Sequence, residues 1–361
     1  MNTKDKNTTK LDGLSIVILI ISLIIIIFSF IAPSLLVKEA KFGLDFSGTG
    51  EIGDTIGGIM NPFIAISGVF LTFLAFYIQF KANQLQRELF RVELNEQNIQ
   101  FQKNQFENQF YEMLRLHKEN VNELEIKTIR VLKGVQNPDE IIEENIKGRK
   151  VFNFFLREIE LCYNIARINY TDEDFMVWFN EAYGIFFHGL NAELVKKHNY
   201  FKELKEIKDT HAKNSYSYLT NILKNKYDFG WDHELNYSIF DGYSSQLAHY
   251  YRHLFQTVKF VASQIETLVS YEEKRKYLRI LRAQLSNQEQ AMLFYNWLSN
   301  FGKQWENKTN KFFTDYRMIH NIYQELIIPG INIDQLIDLH GAYRKEKDRK
   351  SDPLFEFQDW E

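Results

Sequence analysis

The chain is short of cysteine, proline and basic excess, and each shortage excludes a class of protein. One cysteine, Cys162, among 361 residues rules out an internal disulfide scaffold and agrees with a reducing compartment. It sits in an apolar helical pattern (FFLREIELCYNIARI) with no base beside it, which marks core filler rather than a nucleophile. Only five prolines occur, and none lies between Asp139 and Ile328. That stretch carries Leu, Ile, Glu, Lys and aromatics at spacings of three and four, the pattern of an all-α bundle. Lys and Arg total 43 against 47 Asp and Glu, so general nucleic-acid binding is not expected. A phosphate-binding glycine loop is missing, as is any hydrolase-like order of Ser, Asp and His. Asp228-Phe229-Gly230 stands without the other kinase signatures, so it carries no kinase reading.

What is present is hydrophobic and N-terminal. Leu14 to Val37 and Thr55 to Phe80 are uncharged apolar stretches of 24 and 26 residues. At about 1.5 Å per helical residue, each exceeds the roughly 30 Å hydrocarbon core of a bilayer. The first is too long for the apolar core of a cleaved signal peptide and ends without a small-x-small site, so it reads as an uncleaved anchor. Lys4, Lys6 and Lys10 precede span one, and Lys81, Arg87 and Arg91 follow span two. The connecting loop balances Lys38 and Lys41 with Glu39, Asp45, Glu51 and Asp54. The positive flanks put both termini and the soluble part in the cytoplasm, with the loop outside.

Span two carries a stripe of small and polar residues, Gly57, Asn61, Ala65, Gly68, Thr72, Ala75 and Gln79, on one face. Such stripes let helices approach closely, so this face is expected to pack on protein, either span one or a second copy. The stripe has no ionisable residue, which argues for packing over a pore. From Lys81 to about Glu125 a Gln- and Glu-rich stalk helix continues span two. Its seam runs Leu85, Leu89, Val92, Glu96, Ile99, Lys103, Phe106, Phe110, Met113, His117, Asn120 and Leu124. That seam has coiled-coil character, with Glu96 and Lys103 as register-setting polar positions. Homo-oligomerisation through span two and stalk would explain it, and so would pairing with a later helix of the same chain.

The domain order expected is a two-span anchor (1–80), a stalk (81–125), a helical bundle (126–342) and a charged, frayed tail (343–361). Helix starts are read at Asn137-Pro138-Asp139-Glu140, at Thr171 to Asp174 and at Asn332 with Gln335, and a stop at Pro329-Gly330. Lys226 to Tyr243, aromatic and aperiodic, reads as a structured loop.

Two blocks carry candidate chemistry. In the first, His249 and His253 are four apart on one helical face, which is metal-ligand spacing. The sequence offers neither the glutamate of a metalloprotease motif nor a third ligand, so no metal or cofactor is expected. With Tyr251 these histidines are read as polar anchors between helices. In the second block, Ser286 and Glu289 form a capping box ahead of an apolar run. Arg282 and Gln284, with Arg252 and Arg279, are candidates for an anion or ligand site, since arginine offers bidentate donors to carboxylate or phosphate. Buried pairing with acidic neighbours is the structural alternative.

These blocks, HYYRHLF followed by Y-x-x-I-L-R-A-Q-L-S-x-x-E and L-F-Y-N-x-L-S, closely resemble the phage abortive infection family of the lactococcal abortive-infection C type. GRKVF at residues 148–152, GDTIGGIMNPF at the entry to span two and FENQFYEMLRLH fit as well, so the resemblance runs from Asp54 to about His320. It implies a role in bacterial phage defence without an established catalytic residue set; the inner-membrane location is the expectation from the two spans. The arginine followed four to six residues later by histidine, used by ribonucleases of the higher eukaryote and prokaryote nucleotide-binding type, precedes none of the nine histidines. The resulting expectation is a membrane-anchored defence protein responding to a phage- or host-derived trigger. A membrane-tethered nuclease or nucleotide hydrolase is the alternative, and a non-switching scaffold is a third.

Overall fold

The computed structural model describes residues 12–36, 49–132, 140–169, 174–213, 235–339 and 353–356. Lys4, Lys6, Lys10, the loop from Lys38 to Gly48, Asn137 to Asp139, Thr171 to Glu173, Lys226 to His233 and most of the tail from Tyr343 lie outside them. Among the described residues the protein is mostly helical. It divides into two compact units, Met1–Gln100 and Phe101–Glu361.

In the first unit, α1 (Gly13–Leu36) and the opening part of α2 (Thr49–Glu123) are long and apolar enough to cross a membrane. Their contact is built on serines. Helix α1 buries Ser15, Ile18, Ser22, Ser29 and Ala32, a single stripe at steps of three, four and seven. Ser22 Oγ donates to the Ile18 carbonyl at 2.9 Å and Ser29 Oγ to that of Ile26 at 2.7 Å. Each hydroxyl is thus satisfied within its own helix, and its small size admits a close neighbour. Helix α2 answers with buried Ser67 and Leu74, while Phe63 meets Phe28 edge-on at 5.1 Å. Tyr77 Oη donates to Asp12 at 2.9 Å, and Lys81 pairs with the same carboxylate. The two helices therefore run antiparallel.

This geometry separates the two partners considered for the stripe. Span one does not cover the stripe of Gly57, Asn61, Ala65, Gly68 and Thr72. Asn61, Ala65, Gly68 and Thr72 are exposed, and a Cβ added at Gly57 or Gly68 would meet nothing within 4 Å. The buried face of span two is the one with Ser67 and Leu74, on which Phe63 meets Phe28 of span one.

The stalk seam also divides. Leu85, Leu89, Val92 and Ile99 are exposed. From Phe106 onward the seam is covered by the same chain: Phe106 and Phe110 are buried, Phe106 stacks on Phe260 at 5.2 Å, and Tyr277 meets Phe106 and Phe110 edge-on at 5.0 and 5.2 Å. Lys103 pairs with Glu273 at 2.6 Å, and Tyr277 Oη donates to Glu107 at 2.6 Å. Those later partners belong to α7 (Ser244–Ala262) and α8 (Tyr271–Arg282). For this half of the seam the intramolecular pairing holds.

Where a helix start is expected at Asn137 to Glu140, the structure has a hairpin. Strands β1 (Glu125–Leu132) and β2 (Glu140–Lys147) pair antiparallel, with Glu125 opposite Lys147 and Leu132 opposite Glu140. Glu140, the last of those four residues, opens β2 instead. In β1, Ile126 and Thr128 are buried and Lys127 is exposed, a period of two that overrides the capping pattern.

A 3₁₀ turn (Gly148–Lys150) leads into α3 (Val151–Asn169), followed by α4 (Phe175–His188), α5 (Glu193–Lys196) and α6 (Phe201–Lys213). Asp174 caps α4, accepting from Met176 N at 3.1 Å. Helix α9 (Asn287–Leu298) is the centre of the unit: Glu289 through Leu298 are all buried. A helix enclosed on every side must satisfy its polar groups internally. Gln290 exchanges bonds with Asn321, Asn296 donates to Tyr183 at 2.9 Å, and Trp297 Nε1 donates to the Glu306 carbonyl at 3.0 Å. Residues 299–331, expected to be helical, are mostly irregular apart from a 3₁₀ turn (Gln324–Leu326). Glu306 organises them, accepting from Phe313 N, Thr314 N and Thr314 Oγ1 at 2.6–3.1 Å. Asn332 accepts from Gln335 N at 3.0 Å and opens α10 (Ile333–Leu339) as read.

The described part of the aromatic loop is structured. Phe240, at φ 58°, donates its N–H to Glu158 at 2.8 Å, and Tyr243 Oη donates to the same carboxylate at 2.6 Å. Gly189 and Gly242, both at positive φ, lie backbone against backbone, so a Cβ on either would clash. Burial pushes the Glu158 carboxyl up to about 8.

Candidate functional site

The polar centre of the second unit is Glu289, which the sequence marks only as a helix cap. The capping box is present: Ser286 N donates to Glu289 Oε2 at 2.7 Å, and Glu289 N donates to Ser286 Oγ at 3.2 Å. The carboxylate is 0% exposed and has further partners. Tyr250 Oη donates to Oε1 at 3.2 Å, and Arg149 Nε lies 3.3 Å from Oε2. Burial pushes this carboxyl up; the bonds from Ser286, the Arg149 charge and the Tyr250 hydroxyl oppose it.

His117, from the last turns of α2, stands 4.0 Å from Glu289 Oε1 and is 1% exposed. Burial, with His253 and Arg149 nearby, brings its pKa down to about 4. It is therefore neutral at neutral pH, and the contact to Glu289 is not an ion pair. The His253 ring lies nearly parallel to it, 6.3 Å between centroids and 15° between planes. Burial lowers the His253 pKa as well. Among the described residues neither ring has a hydrogen-bond partner for either nitrogen. Two neutral imidazoles with both nitrogens unpaired are a costly arrangement in a protein interior.

Above this pair opens a groove of about 590 Å³ between the end of α2 and α7, lined among others by Asn120, Glu123, Leu124, His249, Arg252 and His253. One wall is braced by Gln246, which accepts from Glu125 N at 3.0 Å and donates to Glu125 O at 3.2 Å. The volume lies in the range of roughly 300–1,000 Å³ typical of small-molecule sites. Arg252 is exposed and, among the described residues, bonds through Nε alone, at 3.1 Å to the Ala248 carbonyl.

The candidates named from sequence are put to different uses. His249, His253 and Arg252 line the groove. Tyr251 does not: buried, it donates to the Met292 carbonyl at 3.1 Å and anchors α7 on α9. Arg282 donates from Nη1 to the Arg317 carbonyl at 3.1 Å. Gln284 is exposed and offers its backbone carbonyl to Arg149. Arg279 is exposed on α8. Of the four residues considered for anion binding, Arg252 alone lines the groove. His117 and Arg149 join the site without having been assigned to it. His117 is legible only as a seam position of the stalk, and Arg149 only as part of GRKVF. Among the described residues no group of three or more His, Cys, Asp or Glu is placed to hold a metal ion.

No curated protein and no solved structure matches the chain. Residues 242–327 match the family model described as "Putative phage abortive infection protein", the family that the two motif blocks resemble. The matched segment contains α7, α8, α9 and Glu289, so the groove helix and the capped central helix fall inside the part of the chain that is similar to this family.

Proposed function

We propose that this is a membrane-anchored phage-defence protein of the bacterial inner membrane. Its helical domain sits in the cytoplasm, responds to an infection product or a host perturbation, and acts through α2 on the spans. The outcome is growth arrest or altered membrane permeability. The observation that carries this reading is α2 itself. One helix of 75 residues, Thr49–Glu123, contains both an apolar segment of spanning length and the residues that form one side of the groove. Membrane anchoring is further supported by the outward faces of the spans: Ile24, Phe30, Val69 and Phe76 are each more than half exposed, which favours hydrocarbon over water as their solvent. Self-association is supported by two uncovered faces, the stripe around Gly68 and the exposed seam of Leu85, Leu89, Val92 and Ile99.

Gly68→Leu tests the reading. Added apolar bulk preserves insertion but blocks close helix approach at the stripe. The variant should accumulate in the membrane with an unchanged melting temperature and fail to protect cells from phage, whereas Phe70→Leu should be nearly silent. Full protection by Gly68→Leu would make the stripe incidental. A chain lacking both spans should lose all effect on infected cells; retained toxicity in that chain would favour a tethered enzyme instead.

A further inference from the structure

We propose that the groove between the last turn of α2 and α7 is a nucleotide-binding site, with the base edge against His253 and Asn120 and the phosphate against Arg252. Three observations lead there. The first is shape: about 590 Å³ of space with Leu124 and Tyr250 among its apolar lining, a volume that suits a small molecule. The second is unmet hydrogen bonding. A neutral imidazole presents one donor and one acceptor, and among the described residues those of His253 and of His117 behind it are all unmade. His253 lines the groove with its nitrogens turned from solvent. A half-turn about Cβ–Cγ exchanges ring nitrogens for ring carbons at no change of shape. That turn moves the nitrogens to the places now held by Cδ2 and Cε1, and a bond from there into the groove is one the ring lacks in its present setting. The partner that suits a neutral ring beside the Asn120 amide offers a donor and an acceptor side by side, as a nucleobase edge does. The third is charge. Arg252 holds its Nη groups for an anion, while Glu123 across the groove accepts from hydroxyls such as those of ribose. A groove with one cation and one carboxylate suits a base-bearing phosphate better than a bare polyanion.

The inference does not depend on the defence role, because binding is read on the purified protein without phage or cells. The probes are the 5′-monophosphates of adenosine, guanosine, cytidine and uridine, the four nucleosides, and inorganic phosphate, titrated by calorimetry into the detergent-solubilised full chain. At least one nucleotide should bind, its nucleoside more weakly, and phosphate alone not measurably. Arg252→Met, at an exposed position, should weaken the nucleotide about tenfold and leave the nucleoside unchanged. His253→Phe keeps the ring and removes its nitrogens; at an unchanged melting temperature it should weaken both about tenfold. Absence of binding by all four nucleotides overturns the proposal. So does phosphate competing as well as the nucleotide, and so does wild-type affinity in Arg252→Met.

Discussion

Glu289→Ala is the perturbation whose size the structure fixes best. A residue acting only as the second half of a capping box costs about 1 kcal/mol on removal. Glu289 does more, because its buried carboxylate also receives the Tyr250 hydroxyl. Truncation strands that hydroxyl in the interior, at a cost of about 1–3 kcal/mol. Arg149 adds little, since its side chain is 50% exposed and rehydrates. The sum is about 2–4 kcal/mol, or roughly 5–15 °C in melting temperature for a unit of this size. Ser286→Ala loses the cap alone and should fall by only about 1 kcal/mol, near 2–4 °C. Thermal melting of the solubilised full chain, with Tyr250→Phe and the Tyr250→Phe/Glu289→Ala double variant completing a cycle, separates the two contributions. If Glu289→Ala melts within about 2 °C of Ser286→Ala, the carboxylate is a helix cap and nothing more.

Other consequences follow from the buried ionisable groups and the spans. The folded-state pKa of His117 is depressed to about 4, so its contribution is complete above about 6.5 and is lost as pH falls towards 4. His117→Phe should flatten that acid limb of the melting curve. Glu158 is raised to about 8, so its contribution is complete below the ordinary carboxylate range and is lost as pH rises through 8. Glu158→Gln should flatten the alkaline limb; either limb persisting in its variant refutes the assignment. Ser22→Leu, in the serine ladder, should separate α1 from α2 and lower membrane accumulation, measured by fractionation, where Gly68→Leu does not. A cysteine at Ser47, which lies outside the described residues, should react with an impermeant thiol reagent on intact cells while buried Cys162 stays protected. Labelling only after lysis reverses the orientation.

Long-range periodicity made much of the fold legible, and local signals made less. The apolar stretches, the proline-free helical run and the caps at Asp174, Ser286 and Asn332 all rest on patterns that tertiary context reinforces. The hairpin at Glu125 to Lys147 was hidden because Asn137-Pro138-Asp139-Glu140 is a strong local helix-start pattern. Only the alternation of Ile126, Lys127 and Thr128 points to a strand. The irregular layer after Leu298 was hidden for another reason. Its order comes from Glu306 bonding to Phe313, Thr314 and Trp297 seven to nine residues away, and from Asn321 bonding to Gln290 31 residues away, and none of these contacts follows a helix or strand period. The groove was half legible. His249, His253 and Arg252 share one block, but His117 and Arg149 reach Glu289 from distant segments, and nothing in spacing announces a contact made in space. The serine ladder of α1 was visible at steps of three, four and seven, but isoleucine-rich composition masked it.

The central claim is that the spans act on the membrane during infection. Membrane potential, followed with a voltage-sensitive dye in infected cells carrying the full chain, tests it most directly. The account predicts depolarisation in protected cells before phage release, absent in cells carrying Gly68→Leu at equal protein level. An unchanged potential in cells that are nonetheless fully protected would contradict it.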